Sequence, residues 1–304
     1  MGIFITFFVL SYTYHVLGIS IGYHRGLAHR SFKLPRVLEY FFVLGAYLCF
    51  EGAPIFWTGA HRLHHRYSDM PGDPHSPKDG LWHSILGWMS KPLVMITDEH
   101  YKTICPDLFR DPFYRFLHAG GKGRDGWLCL VINVLVRVVL LAAFGPIALV
   151  GNLLGSVCAF IAPLMVNSIG HLPAMGYQNF PTPDQSQNVW FVALASFGEG
   201  WHNNHHAFPQ SARHGLKPSE FDFSYLVLTL LAKVGLVRNI RLPKPEVIDL
   251  LAMGQQSPDN TRKNAGFTVE NAEEVARENA EIAGRDQIDG AEQSEKEAVL
   301  AGKR

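Results

Sequence analysis

The sequence predicts an all-α integral membrane protein, with transmembrane helices capped by a helical domain that holds a histidine-rich metal site. Three observations predict it. Four apolar stretches, residues 3–23, 37–57, 127–150 and 152–170, approach or exceed the about 20 helical residues that a hydrocarbon layer of ~30 Å requires. Fifteen histidines are present, and most of them are clustered. The clusters fall at the ends of the apolar runs, where a helix bundle would meet water.

Residues 3–23 form the first crossing and lead directly into His24. No basic residue precedes Arg25, whereas Arg30, Lys33 and Arg36 follow it, so the positive-inside bias runs this helix from outside to inside. Residues 37–57 connect the first histidine cluster to the second, and a single crossing there would leave the two on opposite faces. They are therefore predicted to be re-entrant or buried at the inner face, with Glu51, Gly52 and Pro54 permitting a break where protein covers the backbone. Residues 127–149 and 152–172 cross out and back. Arg115, Lys122 and Arg124 precede them, but no Lys or Arg occurs from Val138 to Ala212, which places the turn near residues 145–152, with Gly145-Pro146 and Gly151-Asn152, outside. Arg137 and Asn133, inside the third run, must face protein or sit near the headgroups. Three crossings then gather the histidine clusters on the cytoplasmic side. Residues 1–250 make up this multi-pass membrane domain, and the polar, charged residues 251–304 predict a flexible tail.

With 27 basic and 27 acidic side chains there is no bulk positive charge for a nucleic-acid partner, and 47% hydrophobic residues exclude a mostly disordered chain. The four cysteines, Cys49, Cys105, Cys129 and Cys158, show no CxxC spacing and read as buried, reduced thiols. Histidine carries the chemistry instead. In HRLHH (61–65) and HNNHH (202–206) the imidazoles at i, i+3 and i+4 share one face of a helix, a spacing that brings several lone pairs to one ion. In HRGLAH (24–29) the i, i+5 pair stands about 140° apart on an ideal helix, so it serves two ions, or one if the helix breaks near Gly26. His171 closes the last apolar run, one turn after Asn167. Imidazole suits Zn, Fe, Cu and Ni alike. No HExxH occurs, against a zinc protease, and ligands gathered on one side argue against a metal carrier, which would string them across the bilayer.

GYHRGLAHRSF (22–32), HRLHHRYSD (61–69), GDPHSP (72–77), NSIGH (167–171) and GEGWHNNHHAFP (198–209) together resemble the membrane-bound fatty acid desaturases, in particular the Δ9 acyl-CoA or acyl-lipid branch. The resemblance covers residues 1–245. It implies a cytoplasmic dimetal site, two Fe ions held by His24, His29, His61, His64, His65, His171, His202, His205 and His206, with Asn167 holding a water beside one iron. It also implies an O2-dependent enzyme that introduces a cis double bond, Δ9, into saturated C16 or C18 acyl chains. Trp57 lines the bend of the acyl tunnel in this resemblance, and Glu51 lies near it. The same kind of centre on a lipid or alkane hydroxylase is the alternative.

Ligating imidazoles need partners on their other nitrogen, and Asp69, Asp73, Asp184 and Glu199 are the candidates. His75 reads as a turn histidine, and His15, His83, His100, His118 and His214 have no ligand spacing. Three departures from the family pattern stand out. A family helix usual before the first box is missing ahead of Met1, which is expected to be a truncated start. Gly59-Ala60 replaces the Arg-Asp of animal acyl-CoA members, so the acyl carrier stays open between CoA, phospholipid and carrier protein. Ile85 stands where a histidine is usual before Trp88. With no dinucleotide fingerprint and no haem segment in the tail, electrons are expected from a separate ferredoxin, rubredoxin or cytochrome b5-like donor with its reductase.

Overall fold

The computed structural model describes residues 1–88, 98–121 and 123–255. Two compact units are distinguished, Met1–Lys244 and Pro245–Arg304. Lys122 and the expected tail beyond residue 255 lie outside the described residues.

Helix α1 (Gly2–Leu17) is apolar on every side and continues without interruption as a π-helix, Gly18–Ala28. The combined 27 residues are long and apolar enough to cross a membrane. Helix α2 (Arg36–Tyr47) follows Pro35, and α3 (Pro54–Tyr67) begins with proline at its first position, where the missing N–H is harmless. Between them the chain leaves helical geometry, with Phe50 and Gly52 at positive φ. The stretch 37–57 is thus two helical pieces and a turn rather than one spanning helix.

The exposed backbone of that turn finds partners, as it must in an apolar environment. The carbonyl of Tyr47 accepts from Asn133 Nδ2 at 3.0 Å, that of Leu48 from Arg137 Nη2 at 3.1 Å, and that of Gly52 from the Tyr23 hydroxyl at 2.7 Å. Arg137 is buried and faces protein, one of the two placements expected for it.

Helix α4 (Asp98–Ile104), α5 (Pro106–Arg110) and α6 (Pro112–His118) are short and precede α7 (Arg124–Ile169). Although α7 runs for 46 residues, Gly145 is not helical (φ 81°, ψ 178°) and Pro146 follows it. A straight helix would hold Arg137 and Ser156 about 28 Å apart at ~1.5 Å per residue. Their side chains instead hydrogen bond at 3.1 Å, so α7 is a hairpin of two antiparallel arms turning at Gly145. The turn begins at the near edge of the predicted 145–152 connection. Helices α8 (Trp190–Ala195), α9 (His202–Ala207) and α10 (Phe223–Lys233) complete the first unit, and α11 (Pro245–Gln255) belongs to the second. Among the described residues, extended structure is limited to isolated bridges such as Lys33 to Arg238.

Glycines let the apolar helices approach one another. A Cβ on Gly22 would lie 2.8 Å from the Phe42 carbonyl oxygen of α2, and one on Gly155 would lie 2.6 Å from the Phe8 carbonyl oxygen of α1. These are the close small-residue crossings on which helix association in an apolar layer depends. Gly155→Ala should therefore push the second arm of α7 away from α1, at a cost of about 1–3 kcal/mol for overpacking. Thermal unfolding of the purified chain in detergent measures this, and an unchanged midpoint would contradict the crossing.

Candidate metal centre

Three helical segments and the end of a fourth deliver the histidines. The sequence predicts that the first box reaches one ion only through a break near Gly26, and the structure corrects this. The helix widens instead of breaking. An i→i+5 bond from the His29 N–H to the His24 carbonyl (3.1 Å) closes the last π-turn and returns residue i+5 nearly over residue i. The two rings then stand 4.8 Å apart, centroid to centroid. Helix α3 carries His61, His64 and His65, α9 carries His202, His205 and His206, and His171 follows the C-terminal end of α7.

The nine histidines expected as ligands assemble into two adjoining groups. Ligand nitrogens of His24, His29, His61, His65 and His205 all lie within 4.8 Å of one another, and so do those of His64, His171, His202 and His206. Each HxxHH box divides between the groups. In α3 the i, i+4 pair His61 and His65 goes to the first and His64 to the second, whereas in α9 His205 goes to the first and the i, i+4 pair His202 and His206 to the second. Asn167 lines a cavity beside both groups.

Four acidic side chains fix the imidazoles from behind. Nδ1 of His64 donates to Asp73 (2.9 Å), that of His171 to Asp69 (3.0 Å), that of His206 to Asp184 (2.6 Å) and that of His24 to Glu199. These are the four carboxylates that the sequence singles out. Burial alone would raise Asp69, Asp184 and Glu199, but their histidine partners, together with Arg25 for Glu199, outweigh it and hold all three below the usual carboxylate range.

The donor chemistry of the second group fits a cation. With Nδ1 protonated toward a carboxylate, Nε2 of a neutral imidazole has only a lone pair. Nε2 of His64 and of His206, both with Nδ1 on a carboxylate, face each other at 3.3 Å, and with both rings neutral they would have no hydrogen to share. A cation held by both nitrogens would relieve that repulsion. In the first group Nε2 of His24 and of His205 are similarly 3.0 Å apart. Burial first, and then neighbouring imidazoles, push His29, His61, His64, His65, His202 and His205 well below the ordinary 6.5, so these rings are neutral and their lone pairs free at neutral pH.

A histidine depressed in the fold takes up its proton only when the fold or the site opens. Its stabilisation is complete above the ordinary value of 6.5 and is lost as pH falls below it. Metal retention and thermal stability should both decline as pH drops through about 6.5, more steeply than a single proton allows. Metal analysis after equilibration across this range tests it; a flat profile down to about pH 5 would contradict it.

Two cavities adjoin the histidines. The larger, about 430 Å³, has apolar walls from α1 (Val16), its π-helical continuation (Ile19) and the second arm of α7 (Ala162, Val166) and reaches His24 and His61. The smaller, about 300 Å³, is lined by Glu51, His75 and Trp88. Trp57, His61, Pro163 and Asn167 border both. Trp57 Nε1 donates to Glu51 Oε2 at 3.0 Å, so the two side chains expected at the tunnel share one wall.

Sequence spacing misses three residues at this site. Arg25 is fully buried and bonds Glu199 and Asp222, and His75 and His214 pack against the two groups. Arg25 is adjacent to His24 and His75 stands within GDPHSP, whereas His214 offers no such signal. Both other histidines arrive through tertiary packing of loops.

The family model for fatty acid desaturase matches residues 2–218. A Delta-9 acyl-lipid desaturase 1 of Arabidopsis thaliana is 37% identical over 247 residues, 81% of this chain and 77% of its own length. An sn-1 stearoyl-lipid 9-desaturase of Synechocystis sp. is 39% identical over 228 residues (75% and 68%), and an acyl-CoA 5-desaturase of Anemone leveillei is 38% identical over 230 residues (75% and 68%). With paired histidine groups beside an apolar cavity and this extent of similarity, the chain belongs to the fatty acid desaturase family, and the protein is an oxidoreductase.

Proposed function

We propose that the protein introduces a cis double bond, at Δ9, into saturated C16 or C18 acyl chains, using two irons held by His24, His29, His61, His65 and His205 on one side and His64, His171, His202 and His206, with Asn167 through a water, on the other. The observation that carries the reading is the division of nine imidazoles into two carboxylate-backed groups at the end of an apolar cavity. The chemistry that a bound iron pair supplies is removal of two hydrogens from adjacent methylenes with O2 and two electrons, for which no side chain is a strong enough oxidant. Val16, Ile19, Ala162 and Val166 bind the hydrocarbon and exclude water, and Trp57, braced by Glu51, sets which carbons lie beside His24 and His61. The similar proteins named for Δ9 acyl-lipid and stearoyl-lipid activity support the position and favour a lipid-bound acyl group, in keeping with Gly59-Ala60 before the second box.

The two arms of α7 and the helix Gly2–Ala28 supply three crossings, with the histidines on the cytoplasmic side where Arg25, Arg30, Lys33 and Arg36 gather. A separate ferredoxin, rubredoxin or cytochrome b5-like donor delivers the electrons there. Expression in a desaturase-deficient host, followed by gas chromatography and mass spectrometry of derivatised fatty acids, tests the reading. A new Δ9 monoene is expected; a hydroxy acid instead would transfer the chain to the hydroxylases built on the same kind of centre.

A further inference from the structure

Behind each histidine group stands one more buried imidazole that the nine ligands do not account for. His214 is 1% exposed, and its ring centroid lies 4.5 Å from that of His205 and 5.4 Å from that of His24. Its Nδ1 is 3.6 Å from Glu199 Oε2, the oxygen that accepts from His24. His75 repeats the arrangement at the other group. It is 3% exposed, its ring stands 4.4 Å from that of His64, and its Nδ1 is 3.9 Å from Asp73 Oδ1, the oxygen that accepts from His64. Each carboxylate is thus flanked by two imidazoles, one pointing into the site and one behind it.

Both nitrogens of His214 and Nδ1 of His75 are buried without a hydrogen-bond partner. A buried polar atom left unpaired is costly, and a ring serving only to fill space would be better replaced by an apolar one. The main chain holds each ring in place: the His214 N–H donates to Asp222 at 2.8 Å and the His75 N–H to Asp73 at 3.2 Å. A shift of less than an ångström brings either Nδ1 within ordinary hydrogen-bond distance, about 3.2 Å or less, of its carboxylate.

We propose that His214 and His75 are positioning residues, one for each metal. His214 holds the far side of Glu199 and through it the tautomer and orientation of His24, and His75 does the same through Asp73 for His64. The inference rests on the two-metal reading above and adds that each metal depends on its own auxiliary histidine. Partners behind a ligand typically govern metal affinity by about 10–100-fold.

The test is competition between the purified, iron(II)-loaded full chain and a colorimetric iron chelator, read as irons retained per chain. In His214→Ala one of two irons is expected to leave at a chelator concentration about 10–100-fold lower than in the wild type, the other being unaffected. His75→Ala should release the other iron instead. Adding His171→Ala to His214→Ala then empties the site, whereas adding His29→Ala removes nothing further; with His75→Ala the two outcomes exchange. His214→Gln and His75→Gln, which keep an N–H near the carboxylate, should restore part of the retention. Variants that hold both irons as the wild type does, or that lose both together while the chain stays monodisperse, overturn the assignment. A wild-type chain that takes up no pair of irons overturns the two-metal reading itself, and this inference with it.

Discussion

His205→Ala and His64→Ala are each expected to lower desaturated product more than about 100-fold, because loss of a ligand must exceed the 10–100-fold typical of losing a partner behind one. His205 belongs to the first group and His64 to the second, so the pair tests whether both groups are needed. His205 is fully buried between His24 and His65, its Nε2 being 3.0 and 2.8 Å from theirs, and Ala leaves a gap that neither neighbour spans. His64 is held by Asp73, which the variant strands without its imidazole. Neither position lies in a helix long and apolar enough to cross a membrane, so the chain should still reach the membrane in wild-type amount. Fatty-acid analysis beside a membrane-fraction immunoblot measures both quantities. Retained product in either variant would mean that its group does not take part.

Glu199→Ala should combine the largest loss of stability with loss of metal. One oxygen of Glu199 accepts from Ser20 and from Arg25 Nε (3.0 Å), and the other from His24. Arg25 is fully buried, so removing the carboxylate leaves its guanidinium with Asp222 as the remaining acidic partner. Breaking a buried pair in this way costs about 3–5 kcal/mol. Freed from its carboxylate, His24 also loses the partner that fixes its tautomer, and metal retention should fall by about 10–100-fold. Glu199→Gln keeps an acceptor but presents an N–H₂ to one of the three donors. It should recover much of the stability and little of the metal affinity. Thermal unfolding and chelator competition separate the two effects; an alanine variant unchanged in both would show that this network supports neither fold nor site.

Much of this architecture is legible in the sequence because it is written in short spacings. The boxes at 61–65 and 202–206 rely on the ordinary α-helical repeat, and the i, i+4 pair of each does converge, while the third histidine joins the other group. Gly145-Pro146 marks the hairpin turn, and Glu51, Gly52 and Pro54 surround the break before α3. What spacing does not reveal is the five-and-four division of the histidines. That division depends on the π-helix at Gly18–Ala28, whose wider turn aligns His24 with His29 where an α-helix would set them on different faces. The acidic partners are recognisable as a set, but their pairings are tertiary: Asp69 reaches His171 across 102 residues and Glu199 reaches His24 across 175. How His75 and His214 meet the site is hidden for the same reason. Their relation to the site comes from how two loops pack, and no local repeat encodes it.

The central claim, that the nine histidines hold a pair of irons, is tested most directly by metal analysis of the purified full chain, wild type beside His171→Ala. Two irons per wild-type chain are expected, with a selective loss from the second group in the variant, to which His171 contributes and the first group does not. One metal per chain, zinc in place of iron after loading with both, or an unchanged count in His171→Ala would contradict it.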